Sequence, residues 1–343
     1  MTGILISRFL SPYTNLSIGT YLTKQVGKTF PEKVLFLSSS HHGVFIGKHQ
    51  NCWKECNMLK MKEDDIPLVR RDTGGGACYV DRGNRLFSFI EVNNNPTYDR
   101  YYSVLINALN NLDLKGQVAT MQGRNDVTID QKKVSGSAFT FNGKVFRHHG
   151  TLLHSVDKTA LSTYLTPSKM KLQSKAIDSV AKRICNLIDI NPSLTIDDFD
   201  HAIIEAYRRQ NPSSHQVVEI NANNIHQHIT DKALYQEIFN KYTSHNFLYN
   251  LNPDFTHKFE QKLSFGIIEL LLSCSNNTIS ECKVFSDSLD LRFIECIQNK
   301  LLFKDYSFEG VEKIRGELLV DLGDDYQEKI KEFCSSLRRE FFE

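Results

Sequence analysis

No apolar run in this 343-residue chain approaches the ~18 residues that a membrane span needs, and the mean hydropathy is −0.34. A bilayer-spanning protein is therefore not expected. Net charge is nearly absent as well: 41 Lys and Arg against 40 Asp and Glu leave +1, which argues against a dedicated nucleic-acid binder. The eight cysteines stand singly in apolar contexts, and Cys52-x-x-x-Cys56 has no matching second pair. That pattern is neither a disulfide framework nor a zinc site. Met1–Arg8 lacks a basic segment followed by a long apolar stretch, and it lacks the Arg/Ser-rich look of a transit peptide. A reducing, cytoplasmic protein is expected. Internal repeats and low-complexity tracts are also missing.

The composition that remains is ordinary for a globular chain, with 41% hydrophobic and 24% charged residues. This length suggests about two domains. The charge is unevenly divided. Residues 251–343 hold 12 basic and 18 acidic side chains, and residues 1–250 hold 29 and 22. A +7 stretch joined to a −6 stretch points to an anionic ligand or partner for the first. Residues 246–253, ending at Pro253-Asp254, read as a linker. The expected division is 1–246, a linker over 247–256, and a small domain over 257–343.

Short apolar runs at Gly3–Arg8, Val34–Ser39, Gly43–Lys48 and Leu86–Ile90 read as strands. Helical stripes follow at Tyr98–Leu112, after Thr195-x-x-Asp198, and through Leu234, Ile238 and Tyr242. In the small domain, strands are expected at Lys262–Ser273 and Ile279–Phe285, with helices near Leu291–Leu302 and Tyr326–Phe342. Asn142-Gly143 predicts a two-residue type I′ hairpin turn. Ser137 then faces His148, and Ser135 faces Gly150. A second turn at Asp130-Gln131 would set Asp126 opposite Ser135. On that register Lys133, Ser135 and Ser137 share one face with Asp126 and His148.

The chemistry concentrates in Arg70-Arg71-Asp72-Thr73-Gly74-Gly75-Gly76-Ala77. Three consecutive glycines cost backbone entropy but allow positive φ and close approach, so that several N–H groups can converge on an anion. Arg70 and Arg71 add bidentate donors. The loop is neither a Walker A motif nor a dinucleotide fingerprint. A tight turn with two solvated arginines is the competing reading. Lys133, in a strand of small residues, can reach a phosphate or carboxylate, although a strand lysine also reaches water readily. Asn125 and Asp126 offer oxygens suited to Mg²⁺, or form a turn-entry pair. His148 and His149 point to opposite faces and cannot easily share a metal. Cys78 lacks a convincing partner base, and Trp53 suits a core better than a ligand-stacking position.

Taken in order, these stretches resemble the lipoate–protein ligase family, in the bacterial form with a C-terminal accessory domain. The likeness runs from Val44-Phe45-Ile46-Gly47-Lys48-His49-Gln50-Asn51 and Trp53-Lys54-Glu55-Cys56-Asn57 through the arginine–glycine loop. It continues in Gly123-Arg124-Asn125-Asp126, Lys133–Ala138 and His148–Leu153, then in Phe285–Leu289 and Leu318–Asp321. The resemblance implies an α/β fold of α+β type. Mixed, largely antiparallel sheets would be flanked by helices, as in biotin and lipoate protein ligases and class II synthetases, with a small α+β C-terminal domain. It implies ATP-dependent activation of lipoate to lipoyl-AMP, with release of diphosphate. The lipoyl group would then pass to a lysine of lipoyl domains in 2-oxoacid dehydrogenase E2 subunits and of the glycine cleavage H protein.

By the same resemblance Arg71, Gly76, Ala77, Cys78, Tyr79 and Lys133 hold ATP or the adenylate. Arg70, Gly74, Gly75, Lys133, Ser135, His149 and Gly150 line the lipoate pocket. Lys133 is the catalytic group, and Asn125 and Asp126 sit at Mg²⁺. Free lipoate or octanoate is the small substrate, and a monomer that binds neither membrane nor nucleic acid is expected. One position departs from the family, where Val80 replaces the usual histidine after the aromatic residue. Three other readings stay open: a lipoyltransferase using preformed lipoyl-AMP, an octanoyl transferase acting through an acyl-Cys78, and a non-catalytic lipoyl-domain-binding module.

Overall fold

The computed structural model describes residues 3–48, 50, 52–123, 125–166, 183–213, 216–249, 255–286, 288 and 290–342. His49, Asn51, Arg124, Asp287 and Leu289 of the motifs above, and residues 250–254 of the expected linker, lie outside them. The chain forms two compact units, Met1–Lys48 with Ile66–Ser244, and His49–Asp65 with His245–Glu343. Among the described residues no helix is long and apolar enough to cross a membrane.

The first unit is built on a mixed sheet of eight strands: β1 (Ile4–Ser7), β2 (Lys33–Ser38), β6 (Asn84–Val92), β7 (Ala119–Gln122), β8 (Asp126–Ile129), β9 (Lys132–Phe141), β10 (Val145–Leu153) and β11 (Val217–Ile220). Their spatial order is β11-β1-β2-β6-β10-β9-β8-β7. The parallel pairs lie at the β11-β1-β2 end and the rest is antiparallel. A smaller sheet joins β3 (Gly43–Ile46), β4 (Leu68–Arg70) and β5 (Cys78–Val80) in the order β4-β3-β5. The expected mixed α/β class, a large mixed sheet flanked by helices, is what the structure has.

The helices start where the sequence supplies caps. Ser11 accepts from Thr14 N ahead of α1 (Pro12–Gln25), whose first residue is proline, and that position loses no helical hydrogen bond. Helix α2 (Tyr98–Asn110) and helix α4 (Ile196–Gln210), the latter opened by a Thr195–Asp198 capping box, bury their apolar faces against one side of the large sheet. Between them in sequence lies α3 (Lys158–Tyr164), and α5 (Lys232–Thr243) packs on α1. The core on the α2/α4 side includes Phe87, Phe89, Leu105, Val127, Phe146 and Phe199. The opposite side of the sheet, toward α1 and the small sheet, carries the cavity described below.

Two expected registers are corrected. In the β9–β10 hairpin the central turn residues are Gly143 and Lys144, not Asn142 and Gly143. Gly143 takes the positive φ of +88°, and the Asn142 side chain accepts from Lys144 N and Val145 N. Ser137 therefore faces Gly150, and His148 faces Phe139. In the β8–β9 hairpin Asp130 and Gln131 do form the turn, both with positive φ. However, β9 carries an extra residue: Thr128 pairs with Lys133, whereas Val127 pairs with Ser135 and Asp126 with Gly136. The bulge reverses the side-chain alternation. Lys133 and Asp126 share the cavity face, while Ser135 pairs with Val127 and Leu152 and His148 with Phe139 and Phe89 on the core side; Ser137, paired with Gly150, is among the residues that line the cavity.

The second unit is a β12 (Phe255–Leu263), β13 (Gly266–Ser275), β14 (Thr278–Ser286) meander packed on α6 (Leu291–Leu301), α7 (Phe308–Leu322) and α8 (Gln327–Phe342). The expected single strand 262–273 spans the turn between β12 and β13. Its core includes Phe259, Leu270, Phe293, Leu318 and Phe333, and Trp53 packs against it beside Tyr249 and Tyr306.

Candidate active site

A cavity of about 580 Å³ opens on the face of the large sheet opposite α2 and α4. Its floor is Gly136, Ala138, His149 and Thr151 of β9 and β10. Its walls are α1, the small sheet with its glycine loop, and Arg183-Ile184. Of the residues expected at a site, Arg71, Gly75, Gly76, Ala77, Cys78, Tyr79, Asn125, Asp126, Lys133, His149 and Gly150 all line it. Arg70, Gly74 and Ser135 do not. Arg70 and Ser135 are fully buried, and Arg70 donates to Gly47 O at 3.2 Å and Lys48 O at 3.0 Å.

The two arginines are not solvated ends of a turn. Arg71 is 7% exposed, and its Nη atoms donate to Phe45 O at 3.1 Å, Gly74 O at 3.1 Å and Gly76 O at 3.0 Å. It thus gathers the carbonyls of the glycine loop beneath the loop. Among the described residues the N–H groups of Gly74, Gly75 and Gly76 donate to no backbone carbonyl. A loop whose carbonyls are held by an internal cation presents N–H groups outward, which is the arrangement of an anion cradle. Gly75 needs its lack of a side chain, since its φ is +98°. Gly47 does as well, because a Cβ there would lie 2.4 Å from Gly75 O.

Lys133 is delivered by the bulge. Its Nζ stands 2.7 Å from Asp126 Oδ1, with both side chains about a third exposed. Lysine and aspartate meet above Gly136, where an added Cβ would lie 2.6 Å from Nζ and 3.7 Å from Asp126 Oδ1. Partly exposed ion pairs of this kind contribute about 0–1 kcal/mol, so an incoming anion can compete for the ammonium. Cys185 N donates to Lys133 O at 2.9 Å and fixes the backbone at the bulge. Asn125 binds Ser137 through both main chain and side chain, each at 2.9 Å. A Gly136→Ala substitution is expected to displace the Lys133 side chain. Turnover should fall at least tenfold, with a melting temperature within a few degrees of wild type; unchanged turnover would count against this placement.

The adjacent histidines divide as their parity requires. His149 Nε2 lies 2.9 Å from Thr73 Oγ1, tying β10 to the glycine loop. Burial, with Arg147 and Arg71 adding to it, holds this imidazole well below its usual value, so it is neutral. His148 instead sits among Phe139, Tyr102, Phe87 and Phe89 in the core, and burial alone lowers it to about 3. Tyr79 stacks on Tyr164 at 5.6 Å, and burial raises its hydroxyl to about 12, so it stays a donor. The Cys78 sulfur is 3.8 Å from Arg71 Nη1. Val80, where the family has histidine, is a buried apolar wall residue. Among the described residues no cluster of three His, Cys, Asp or Glu could hold a metal by itself.

Arg147, Asn15, Leu161 and Arg183 also line the cavity and were not among the residues expected there. Arg147 had a signal, because it shares strand parity with His149. The others reach the cavity from helices or from a distant part of the chain.

The cavity thus sets cationic side chains and the glycine loop, which suit an anion, beside the apolar side chains of Leu16, Phe36, Phe45, Leu86 and Leu153, a lining suited to a ligand that is anionic in one part and apolar in another. The comparisons agree. Residues 11–208 match the lipoyl protein ligase A/B catalytic domain, and residues 252–334 match the bacterial lipoate protein ligase C-terminus. A relative, lipoate-protein ligase A of Blochmanniella floridana, is 32% identical over 308 residues, 89% of each chain. The structure of P. falciparum LipL1 in complex with lipoate superposes with a TM-score of 0.64 at 32% identity, covering 98% of this chain and 99% of that one. Two further structures share the fold. One is a bipartite lipoate protein ligase with its E2 lipoyl domain from Thermoplasma acidophilum (TM-score 0.63, 24% identity, covering 74% and 99%). The other is a lipoate-protein ligase A bound with ATP (0.61, 22%, covering 73% and 100%). The chain belongs to the lipoate–protein ligase family, and it is a ligase.

Proposed function

We propose that this protein activates free lipoate, or octanoate, with ATP to the acyl-adenylate and diphosphate. It then transfers the acyl group to a lysine of lipoyl domains in 2-oxoacid dehydrogenase E2 subunits and the glycine cleavage H protein. The observation that carries the reading is the juxtaposition of Lys133, Asp126 and the open glycine-loop N–H groups in one cavity with an apolar wall. Relatives described with lipoate, with ATP and with an E2 lipoyl domain support it. Residues 1–246 would carry catalysis, and 257–343 would be accessory.

In the first step a carboxylate oxygen attacks the α-phosphorus and diphosphate leaves. Both reactants are anionic, so the site must offset charge as it gathers on the phosphoryl oxygens. Lys133 and the N–H groups above Arg71 are fixed before reaction and serve that role. Lys133 bridges the carboxylate and the α-phosphate. Mg²⁺ takes one or two carboxylates plus phosphate oxygens, so Asp126, with the Asn125 side chain beside it, would hold it together with the nucleotide; Mg²⁺ there would offset phosphate charge. Tyr79 and residues 76–78 form the nucleotide side, and His149 and Gly150 the acyl side. In the second step the acceptor amine attacks the acyl carbon, the C–O bond to phosphate breaks, and AMP leaves. The buried walls shield the anhydride from water.

Diphosphate release from the full chain with lipoate and ATP, without acceptor, tests the first step. Mass gain on an isolated lipoyl domain tests the second. No diphosphate would remove the full-ligase reading. Cys78→Ala is expected to leave both steps within about threefold of wild type, since Cys78 has Arg71 and no histidine beside its sulfur among the described contacts. Lost activity together with an acyl adduct on wild-type Cys78 would instead make this an acyl-cysteine transferase.

A further inference from the structure

Arg147 stands two residues before His149 on β10, so both side chains leave the same face of the sheet. It lines the cavity, yet it is only 3% exposed. Its Nε–H is buried and reaches no acceptor among the described residues. Asp72 Oδ1 stands 3.7 Å from Nη1, too far for a hydrogen bond, and is itself unbonded among the described residues. Arg85, a buried arginine elsewhere in this unit, shows the ordinary solution: it grips Asp200 with both arms of its guanidinium, at 2.7 and 2.5 Å. Gly19 of α1 makes room for Arg147, since a Cβ there would lie 2.8 Å from Nη2. The fold therefore admits a cation into the cavity wall and leaves part of its donor capacity unspent.

The position of Arg147 is informative. The Lys133 ammonium lies above Gly136, and Gly136 pairs with Thr151. Arg147 pairs with Thr140, four residues farther along both strands. At ~3.3 Å per residue that is about 13 Å from the Lys133 end. A medium-chain acid with its carboxylate at Lys133, lying along β10, brings its far end toward Arg147.

We propose that Arg147 reads the distal end of the acyl chain and favours the disulfide ring of lipoate over a saturated chain ending in methyl. This rests on the adenylation reading above. A disulfide sulfur is polarisable and accepts weakly, so it can take the Nε–H. A methyl group strips water from the same donor and returns nothing, leaving a desolvated cation. The discrimination comes mainly from the penalty on the methyl end, as when a site built to hydrogen-bond meets a ligand that lacks the partner atom.

The test is calorimetric binding of lipoate and of octanoate to the full chain, with diphosphate release measured in parallel. Wild type should prefer lipoate. Arg147→Leu should lower the ratio of lipoate to octanoate affinity about tenfold, chiefly by tightening octanoate binding. The pair Arg147→Leu with Asp72→Asn removes both charges together, guards against misfolding of the single variant, and should give the same shift. An unchanged ratio in both variants would overturn the proposal. If the ratio shifts but wild type releases no diphosphate, the role of Arg147 stands and the adenylation reading falls; turnover with an unchanged ratio does the reverse.

Discussion

Lys133→Met is expected to lower diphosphate release about 10³-fold while leaving the protein folded. The bulge in β9 is what makes Lys133 critical. Without the extra residue, Lys133 would follow the alternation of Ser135 and leave the cavity; with it, the ammonium lies over Gly136 beside Asp126. Methionine keeps the length and the apolar stem and removes only the charge. Loss of one fixed donor aimed at developing phosphoryl charge costs about 10²–10³ in rate, and in the proposed reaction Lys133 would face carboxylate and phosphate together, which puts the expected loss at the upper end. The ion pair lost with it is partly exposed and contributes at most about 1 kcal/mol, so the urea midpoint should barely move. Transfer from preformed lipoyl-AMP should suffer less than its formation, because the acceptor amine attacks a carbonyl whose activation is already complete. Diphosphate release within tenfold of wild type would remove Lys133 from its proposed role. Lys133→Arg should recover only part of the rate, since a planar guanidinium is wider than the space above Gly136.

Much of this site could be read along the chain. The glycine loop demanded close backbone approach, and Gly75 and Gly47 show where it occurs. The ordered motifs brought Arg71, Asp126, Lys133 and His149 to one cavity. Less legible was which way side chains point. Nothing local marks Val134 as the residue that breaks the ladder of β9, so the grouping of Lys133 with Ser135 and His148 followed strict alternation and was wrong for Ser135 and His148, whereas Ser137 does line the cavity. The same limit applied to Asn142-Gly143, where the asparagine side chain caps the turn from outside and shifts the register by one step on each strand. The arginines were legible as charge but not as structure: Arg70 and Arg71 spend their donors on carbonyls of β3 and of their own loop, a tertiary arrangement that composition cannot announce. Residues 49–65 join the second unit although they precede most of the first, which no feature of a linear reading would reveal.

Stability should fall steeply as pH drops from 6.5 toward 5, and His148→Phe should remove about half of that slope. His148 is fully buried, its ring lies 4.6 Å from Phe139 and 5.0 Å from Tyr102, and neither nitrogen is bonded among the described residues. Burial lowers its pKa from 6.5 to about 3. Between those values the unfolded imidazole takes up a proton that the folded one refuses, so unfolding binds protons and becomes easier as pH falls. The stabilisation is whole above pH 6.5, shrinks by about 1.4 kcal/mol per unit below it, and has lost about 2 kcal/mol by pH 5. His149 is driven well down by burial as well and adds a second loss of stability in the same direction as pH falls. His228 is also lowered, but it is more exposed and contributes less. The carboxylates held low in the fold, such as Asp157 and Asp198, titrate in the unfolded chain near 3.8, so their losses begin below this window. Phenylalanine fits an aromatic cage already made of Phe87, Phe89 and Phe139, and it removes two unbonded nitrogens, so the variant should be at least as stable as wild type at pH 7.5. Urea midpoints at pH 7.5 and pH 5 decide the matter: an equal drop in wild type and His148→Phe would show that His148 is protonated in the fold or that the cage admits water. A fixed drop of similar size in His149→Asn, with the glycine loop released from β10 and turnover impaired, would separate the histidine that serves the core from the one that serves the site.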